Sequence, residues 1–249
     1  MKDKIKTSFS ENAVAYDRHA VVHKKIIDRL VGSLAGDYKN ILDLGCGTGT
    51  LAAKLVQQYP AAKIIGLDLA PGMIERARAK VISRRVEFVV GDAETLAFGS
   101  TAFDLVVSTS SLQWMAAEKV FAEAARVLRP AGQFVFSTFG PATFSEIRKV
   151  GLSVNKFIAK GEIERISRHC FHKTELASWI ATEYYSDVFD FFRRLRSIGA
   201  QIPEKVNEKG LWTKRKIDSL FLNNKGKDFT VSYEVFFGRA SNPTLPFSS

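Results

Sequence analysis

Apolar residues in positions 1–140 of the chain follow two alternating periods. Short continuous runs of Ile, Leu, Val and Phe predict buried strands, and stretches in which apolar residues recur every three or four positions predict helices. The predicted strands cover residues 40–44, 63–68, 86–90, 103–108 and 132–138. The predicted helices cover residues 11–31, the segment from Leu51 to just before Pro60, 71–82 and 116–128.

Strands and helices that alternate in this way predict an α/β fold, in which helices cover both faces of a mostly parallel sheet. The alternation stops after Phe139. Residues 141–175 are charged and have a helical pattern, with too few apolar residues for a core of their own, and they predict a helical cap inserted after strand five. A strand over 179–185, a helix over 186–198 and a last strand over 229–238 follow.

These elements predict a single domain over residues 1–249. It comprises an N-terminal helical segment (1–35), a binding core (36–140), the cap insertion (141–175) and C-terminal strands and helices (176–240).

The composition narrows the class of protein only moderately. Lys and Arg total 36 against 26 Asp and Glu, a net charge of +10 that suits an acidic partner, nucleic acid or an anionic membrane, although a solvated basic surface is the simplest interpretation. Two cysteines argue against a disulfide framework and a metal cluster, and they suit a reducing cytoplasm. No apolar run approaches the ~20 residues that span a bilayer, so we expect no membrane association.

The strongest chemical signal is the segment Ile41-Leu42-Asp43-Leu44-Gly45-Cys46-Gly47-Thr48-Gly49. An apolar strand runs into three alternating glycines, and a helix begins. Such glycines permit a tight turn and a close approach of a ligand to the backbone, and the helix N-terminus offers free N–H donors. Asp68 ends the next strand, where a carboxylate can accept hydrogen bonds from two ribose hydroxyls.

A nicotinamide dinucleotide would use the same devices, because residues 47–52 fit the G-x-G-x-x-A pattern. Three features argue against a nicotinamide dinucleotide. Asp43 before the first glycine could hold an ammonium group, and the glycines alternate three times. Asp92 and Ala93 follow a third strand, where they could bind an adenine edge. Together these features resemble the class I S-adenosylmethionine-dependent methyltransferases. The resemblance implies a Rossmann-like, seven-stranded sheet and S-adenosyl-L-methionine as cofactor. The predicted cofactor-binding residues are Asp43, Gly45, Gly47, Gly49, Asp68, Leu69, Met73, Asp92, Ala93 and Ser108.

The residues after strand four report on the methyl acceptor. Ser108-Thr109-Ser110-Ser111-Leu112-Gln113-Trp114 contains no Asn/Asp-Pro-Pro-Tyr/Phe motif of nucleobase amino-methylation. The chain instead resembles the malonyl-acyl-carrier-protein O-methyltransferases of biotin synthesis nearly end to end. The similar segments are residues 9–20 (Phe9, Ala13, Tyr16, Asp17, Ala20), 112–114, 136–139, 146–148, 155–157, 195–200 and 231–238.

This resemblance implies methyl transfer from S-adenosyl-L-methionine to the free carboxyl of malonyl-acyl-carrier protein. A malonyl carboxylate has a pKa near ~4, so it is ionised at neutral pH and needs no general base. Carrier proteins are acidic, which gives the basic surface a purpose. The predicted catalytic residues are Tyr16, Gln113, Trp114 and Tyr184, and the predicted acceptor-binding residues are Arg148, Asn155, Lys156, Arg193, Arg194 and Arg196.

Other functions stay open from the sequence. The alternatives are a methyltransferase of small carboxylic acids or quinone precursors, a nucleic-acid-binding methyltransferase, and a catalytically silent protein that binds the cofactor. We expect no stable nucleic-acid complex, because aromatic stacking motifs for bases are lacking, and we expect a monomer. The four histidines, His19, His23, His169 and His172, show no metal spacing and are predicted to be non-catalytic.

Overall fold

The computed structural model describes residues 2–149, 156–200 and 229–244. These residues form one seven-stranded sheet with the order β3-β2-β1-β4-β5-β7-β6. The strands are β1 (Asn40–Leu44), β2 (Lys63–Asp68), β3 (Val86–Val90), β4 (Phe103–Thr109), β5 (Leu128–Phe139), β6 (Phe171–Tyr185) and β7 (Phe229–Pro243). The helices are α1 (Lys2–His19), α2 (Val21–Ser33), α3 (Thr50–Gln58), α4 (Pro71–Lys80), α5 (Ala117–Val127), α6 (Ser145–Lys149), α7 (Lys160–Cys170) and α8 (Val188–Ser197).

The order of the strands reverses direction at β1. The chain proceeds from β1 to β2 and β3 on one side, then crosses to β4 and β5 on the other, and all of these pairings are parallel. β7 runs antiparallel between β5 and β6. In parallel sheets a ligand binds outside the carboxyl ends of the strands at such a reversal. The topology therefore predicts a site above the ends of β1 and β4.

Apolar helix faces cover both sides of the sheet. On one side, Leu30 of α2 and Leu51 and Leu55 of α3 pack with Ile41 and Leu105 of the sheet. On the other side, α5 and α7 pack on a cluster of rings that includes Phe121, Phe134, Phe136 and Phe171. Strands that are apolar on both faces require helices on both sides of the sheet, and this is the arrangement observed.

Helix α1 contacts both α4 and α8. Two glycines allow this close approach: a Cβ at Gly72 would lie 2.5 Å from the carbonyl oxygen of Ser10, and one at Gly199 would lie 3.2 Å from the carbonyl oxygen of Ser8. The Ser8 hydroxyl also donates to the Gly199 carbonyl at 3.1 Å. The N-terminal helix is thereby fixed against the elements that flank the site.

The predicted fold class is confirmed, with differences in some elements. The predicted helix over 11–31 is two helices that separate at Ala20, and α1 begins at Lys2. The helical prediction for 141–175 was wrong beyond Cys170, because β6 begins at Phe171. Helix α7 buries its apolar face, with Ile163 and Ile166, in the core beside the sheet, and the cap insertion stays a prediction.

Strand β5 begins earlier than predicted, at Leu128, with an irregular register before Gln133, and β7 extends beyond residue 238 to Pro243. The polar, basic sequence over 201–228 and the acceptor candidate Asn155 lie outside the described residues. Within the described ranges, no helix has both the length and the apolar character needed to cross a membrane.

The first testable prediction concerns Gly238 in β7. A Cβ at this position would lie 2.1 Å from the ring of Phe136, which is fully buried. We expect Gly238→Ala to destabilise the protein by about 1–3 kcal/mol, as overpacking of a close-packed core does. Urea denaturation followed by circular dichroism would measure the change.

The matched control is Gly161→Ala in α7, where a Cβ meets nothing within 4 Å. Alanine is favoured over glycine within helices, so this variant should be neutral or slightly more stable. A Gly238→Ala variant as stable as Gly161→Ala would contradict the close packing of β7 against Phe136.

Candidate active site

The loop after β1 has the backbone that its glycines make possible. Gly45, Gly47 and Gly49 have φ angles of 68°, 53° and 78°, in the left-handed region that glycine adopts at little cost. A Cβ at Gly45 would collide with Ser111 at 2.6 Å, whereas a Cβ at Gly47 would meet nothing within 4 Å. Gly47 therefore faces open space, into which a ligand can approach the backbone.

Asp68, at the end of β2, binds this loop directly. One carboxylate oxygen accepts the Gly47 N–H at 2.9 Å, and the other accepts the Ala70 N–H at 2.9 Å. Burial raises the pKa of Asp68, and these backbone hydrogen bonds oppose the rise. The side chain is thus held rigidly beside the glycine loop at the edge of the cavity.

A second acidic group lies at the end of β3. Asp92 accepts the Glu94 N–H at 2.9 Å, and Lys2 of α1 contacts Asp92 at 2.6 Å and Glu94 at 2.7 Å. The contact with Lys2 lowers the pKa of both carboxyls, although burial opposes it. These ion pairs therefore link the first turn of α1 to the end of β3, where an adenine is expected.

One continuous cavity connects these groups at the carboxyl ends of the strands, and its empty volume, including the solvent at its mouth, is about 1270 Å³. Its first end, here called the cofactor end, is bordered by the glycine loop and three carboxylates, with Lys2 as the cation. An acidic wall of this kind favours a ligand that carries positive charge. The cofactor end comprises Lys2, Ile5, Gly45, Gly47, Leu67, Asp68, Leu69, Met73, Gly91, Asp92, Ala93 and Glu94.

The cofactor end fits S-adenosylmethionine. The open position at Gly47 gives the ligand access to the backbone, Asp68 presents a carboxylate suited to ribose hydroxyls, and Asp92 lies beside Ala93 where the adenine edge would be. The carboxylates complement a molecule that bears both an ammonium and a sulfonium charge.

The middle of the cavity is formed by the turn after β4 and by α1. Ser110, Ser111, Gln113 and Trp114 line it from one side, and Tyr16 lines it from the other. Gln113 is fixed at both ends of its amide: it donates to the Ser110 carbonyl at 2.5 Å and accepts from the Thr138 hydroxyl at 3.2 Å. Burial, with Asp68 and Asp17 nearby, raises the pKa of Tyr16, so its hydroxyl stays protonated at neutral pH.

The far side of the cavity, here called the acceptor end, is almost entirely apolar. Its walls come from the end of β5, from α6 and the segment before α7, and from α8 and β7. The acceptor end comprises Phe139, Phe144, Ile147, Phe157, Phe191, Leu195, Ile198, Ala200 and Tyr233. His23 of α2 lies where this end meets the middle, with its ring 5.7 Å from Phe139 and 5.9 Å from Tyr16.

Most of the predicted site residues lie together in this cavity. Tyr16, Gln113, Trp114, Gly45, Gly47, Asp68, Leu69, Met73, Asp92 and Ala93 all line it. Gly49, Asp43 and Ser108 do not. A Cβ at Gly49 would lie 2.9 Å from Phe88, so this glycine serves the packing of α3 against the sheet. Ser108 is buried and donates to the Leu44 carbonyl at 3.0 Å, which joins β4 to β1.

Asp43 was predicted to hold the cofactor's ammonium group, but the structure places it away from the cavity wall. It is fully buried in the central strand, outside the cavity wall, and neither carboxylate oxygen has a hydrogen-bond partner among the described residues. Burial, together with the nearby Asp68, raises the pKa of Asp43 to about 8. The role of Asp43 in binding the ammonium group stays a prediction.

Tyr184, predicted to be catalytic, is not among the residues that line the cavity. Its side chain is 64% exposed, whereas the next residue, Tyr185, is 4% exposed, because adjacent residues of a strand face opposite sides. The buried Tyr185 hydroxyl donates to Glu183 and lies 2.9 Å from the Tyr233 hydroxyl. Tyr233, which lines the acceptor end, is thereby held in place.

The predicted basic acceptor residues also lie outside the cavity wall where the structure describes them. Arg148 donates to the Pro141 carbonyl, Lys156 is exposed, and Arg194 pairs with Asp190 at 2.7 Å. Arg193 and Arg196 project from the exposed side of α8. Among the described residues, the cavity therefore presents no arginine to an acceptor carboxylate.

Several lining residues were not predicted, and His23 is the most informative of them. It follows Tyr16 by seven positions and lies between Ala20 and Ile27, which places it on the predicted apolar face of the helix. A polar residue on an otherwise apolar helix face was the signal in the sequence that could have identified His23 as a site residue. The aromatic wall of the acceptor end had no comparable signal, because buried phenylalanines are common in any core.

The strand order and the acidic cavity at its reversal together indicate a Rossmann-like, class I S-adenosylmethionine-dependent methyltransferase. A family model described as a methyltransferase domain matches residues 41–132. A solved putative methyltransferase of Bacillus halodurans has a similar fold, with a TM-score of 0.62 and 21% identity over 88% of this chain and 99% of that chain.

Curated relatives identify the family. The malonyl-[acyl-carrier protein] O-methyltransferase of Geobacter sulfurreducens is 35% identical over 236 residues, which cover 87% of this chain and 88% of the relative. The protein of the same name from Priestia megaterium is 31% identical over 252 residues, 90% of each chain. The chain belongs to the malonyl-[acyl-carrier protein] O-methyltransferase family.

The second testable prediction concerns Asp68. We expect Asp68→Asn to raise the Kd for S-adenosylhomocysteine roughly 10- to 140-fold, because hydrogen bonds to a charged group contribute ~1.5–3 kcal/mol. Isothermal titration calorimetry would measure the affinity, with a thermal melt to verify folding. Asp37→Asn is the control, since Asp37 is exposed and pairs with Lys39. Equal affinities of the two folded variants would exclude Asp68 from the cofactor site.

Proposed function

We propose that this protein transfers a methyl group from S-adenosylmethionine to the free carboxyl of malonyl-acyl-carrier protein, forming the malonyl methyl ester that primes pimeloyl synthesis for biotin. The observation that carries this proposal is the division of one cavity into an acidic cofactor end and an apolar acceptor end. The family of the chain supports the same reaction.

The apolar acceptor end suits the charge change of this reaction. The cofactor, when bound, supplies a methyl group on a cationic sulfur. A carboxylate oxygen forms a bond to that methyl carbon while the bond from carbon to sulfur breaks, and the electron pair stays on sulfur. An anion and a cation thus become a neutral ester and a neutral thioether. Surroundings that exclude water favour this loss of charge.

An arginine beside the acceptor carboxylate would work against the reaction. It would stabilise the ionised carboxylate more than the transition state, in which the negative charge is already partly lost. The walls that the structure describes at the acceptor end instead consist of Phe139, Phe144, Phe157 and neighbouring apolar side chains. Their contribution is to position the acceptor and to exclude water, and no proton needs to be removed.

Helix α8 connects the acceptor end with the surface. Phe191 and Leu195 line the cavity from its inner side, and Arg193 and Arg196 are exposed on its outer side. A carrier protein must bring its thioester to this end of the cavity. The two arginines therefore lie where the acidic surface of a carrier would dock, and opposite charges there speed association.

The third testable prediction is the reaction itself. We expect labelled methyl transfer to malonyl-acyl-carrier protein to exceed transfer to malonyl-coenzyme A and to free malonate, with mass spectrometry showing one added methyl on the acyl group. Transfer confined to free malonate or to another small acid would favour a small-molecule methyltransferase. Cofactor binding with no transfer to any malonyl compound would overturn the proposal.

The fourth testable prediction concerns docking. We expect the double variant Arg193→Glu/Arg196→Glu to raise KM for malonyl-acyl-carrier protein roughly 2- to 30-fold, from exposed ion pairs at ~0.2–1 kcal/mol each. KM for malonyl-pantetheine, which lacks the acidic protein, should stay unchanged, and the difference should shrink as salt is added.

A matched control is Lys63→Glu/Arg84→Glu. Both residues are exposed and lie near the amino ends of β2 and β3. The site lies at the other end of these strands. This control changes the net charge by the same amount. An equal rise of KM in both double variants would assign the effect to overall charge and would contradict docking on α8.

A further inference from the structure

His23 lies at the junction of the two ends of the cavity and forms no hydrogen bond or ion pair with the residues that the structure describes. Its ring lies between Tyr16 of α1 and Phe139 at the end of β5. Phe139 in turn contacts Phe157 and Tyr233, which belong to the acceptor end. The imidazole is therefore placed on the acceptor side of Tyr16.

The polar atoms of the ring are not satisfied within the described protein. Nδ1 is buried without a hydrogen-bond partner there. Burial lowers the pKa of His23 to about 4, so the imidazole is neutral at physiological pH. A neutral imidazole carries one N–H donor and one acceptor nitrogen. Because a buried polar group without a partner is costly, a ligand that supplies one is favoured.

Two neighbouring polar side chains of the cavity, Tyr233 and Gln113, are already engaged, whereas the Ser110 hydroxyl is buried without a partner among the described residues. The Tyr233 hydroxyl interacts with Tyr185 and Glu183, and both ends of the Gln113 amide are bonded to protein. The histidine is therefore available to a ligand without breaking an existing hydrogen bond.

We propose that His23 donates a hydrogen bond from its neutral imidazole to the carboxylate of the methyl acceptor and so orients the attacking oxygen. This inference rests on the proposed function, since it assumes a carboxylate acceptor. A neutral donor fixes the direction of the carboxylate with less ground-state stabilisation than an arginine would bring. His23 is thus an acceptor-binding residue that transfers no proton.

The kinetic test compares His23→Leu, which removes the donor, with His23→Gln, which retains an N–H, and with His172→Leu, an exposed histidine of β6. We expect His23→Leu to lower kcat/KM for malonyl-acyl-carrier protein roughly 10- to 140-fold, the effect of one hydrogen bond to a charged group. His23→Gln should recover most of this loss, and His172→Leu should match the unaltered protein.

The affinity for S-adenosylmethionine should stay the same in all three variants. Unchanged kcat/KM in His23→Leu would overturn the proposal, and so would equal losses in His23→Leu and His23→Gln, which would indicate packing alone. A selective loss of cofactor affinity would assign His23 to the cofactor instead and would equally overturn it.

A second measurement does not depend on turnover. The ring ¹⁵N resonances of His23, assigned with His23→Gln, would be followed in protein saturated with S-adenosylhomocysteine while malonyl-pantetheine is added. We expect these resonances to shift, with those of His172 unmoved. No shift at saturating malonyl-pantetheine would overturn the inference. A shift in a protein that fails to methylate malonyl-acyl-carrier protein would refute the proposed function and leave His23 as a carboxylate ligand.

Discussion

The carboxylate of Asp68 holds together the part of the molecule on which the site depends. It accepts one backbone N–H from the glycine loop after β1 and another from the start of α4, after β2. The glycine loop, with three residues at positive φ, has few side chains of its own to fix it. This side chain adds to the backbone hydrogen bonds from Gly45 and Cys46 to the Leu67 carbonyl, and together they fix the loop that borders the cavity.

The polarity of the cavity changes along its length, from acidic at the cofactor end to apolar at the acceptor end, and this change matches the charges of the proposed reaction. The acidic groups at the ends of β2 and β3 suit a cationic ligand, and the aromatic walls beyond Tyr16 would exclude water from the place where the proposed reaction loses charge. A buried basic residue at that place would have offered tighter binding of the acceptor at the cost of its reactivity. Weak binding inside the cavity is compatible with function if a carrier protein contributes contacts outside it.

The sequence predicted the features that depend on a few neighbouring residues. The glycine pattern, the runs of β-branched residues in β2 and β3, and the aspartates at strand ends were all visible because each follows from a few adjacent residues. The differences between prediction and structure involve pairing between distant parts of the chain. Whether Tyr184 or Tyr185 faces inward depends on the register of β6 against β7, and the surroundings of Asp43 depend on both neighbouring strands. Short sequence windows carry little information about either.

The position of β7 between β5 and β6 also has a consequence for how the chain is made. Among the strands that the structure describes, β6 pairs only with β7, which is synthesised later. Until β7 leaves the ribosome, β5 presents an unpaired edge and the long β6 has no partner in the sheet. Exposed edges of this kind invite pairing with other chains. The nascent protein is therefore most vulnerable to aggregation just before its last strand emerges, and a chaperone that shields the β5 edge would act at that moment.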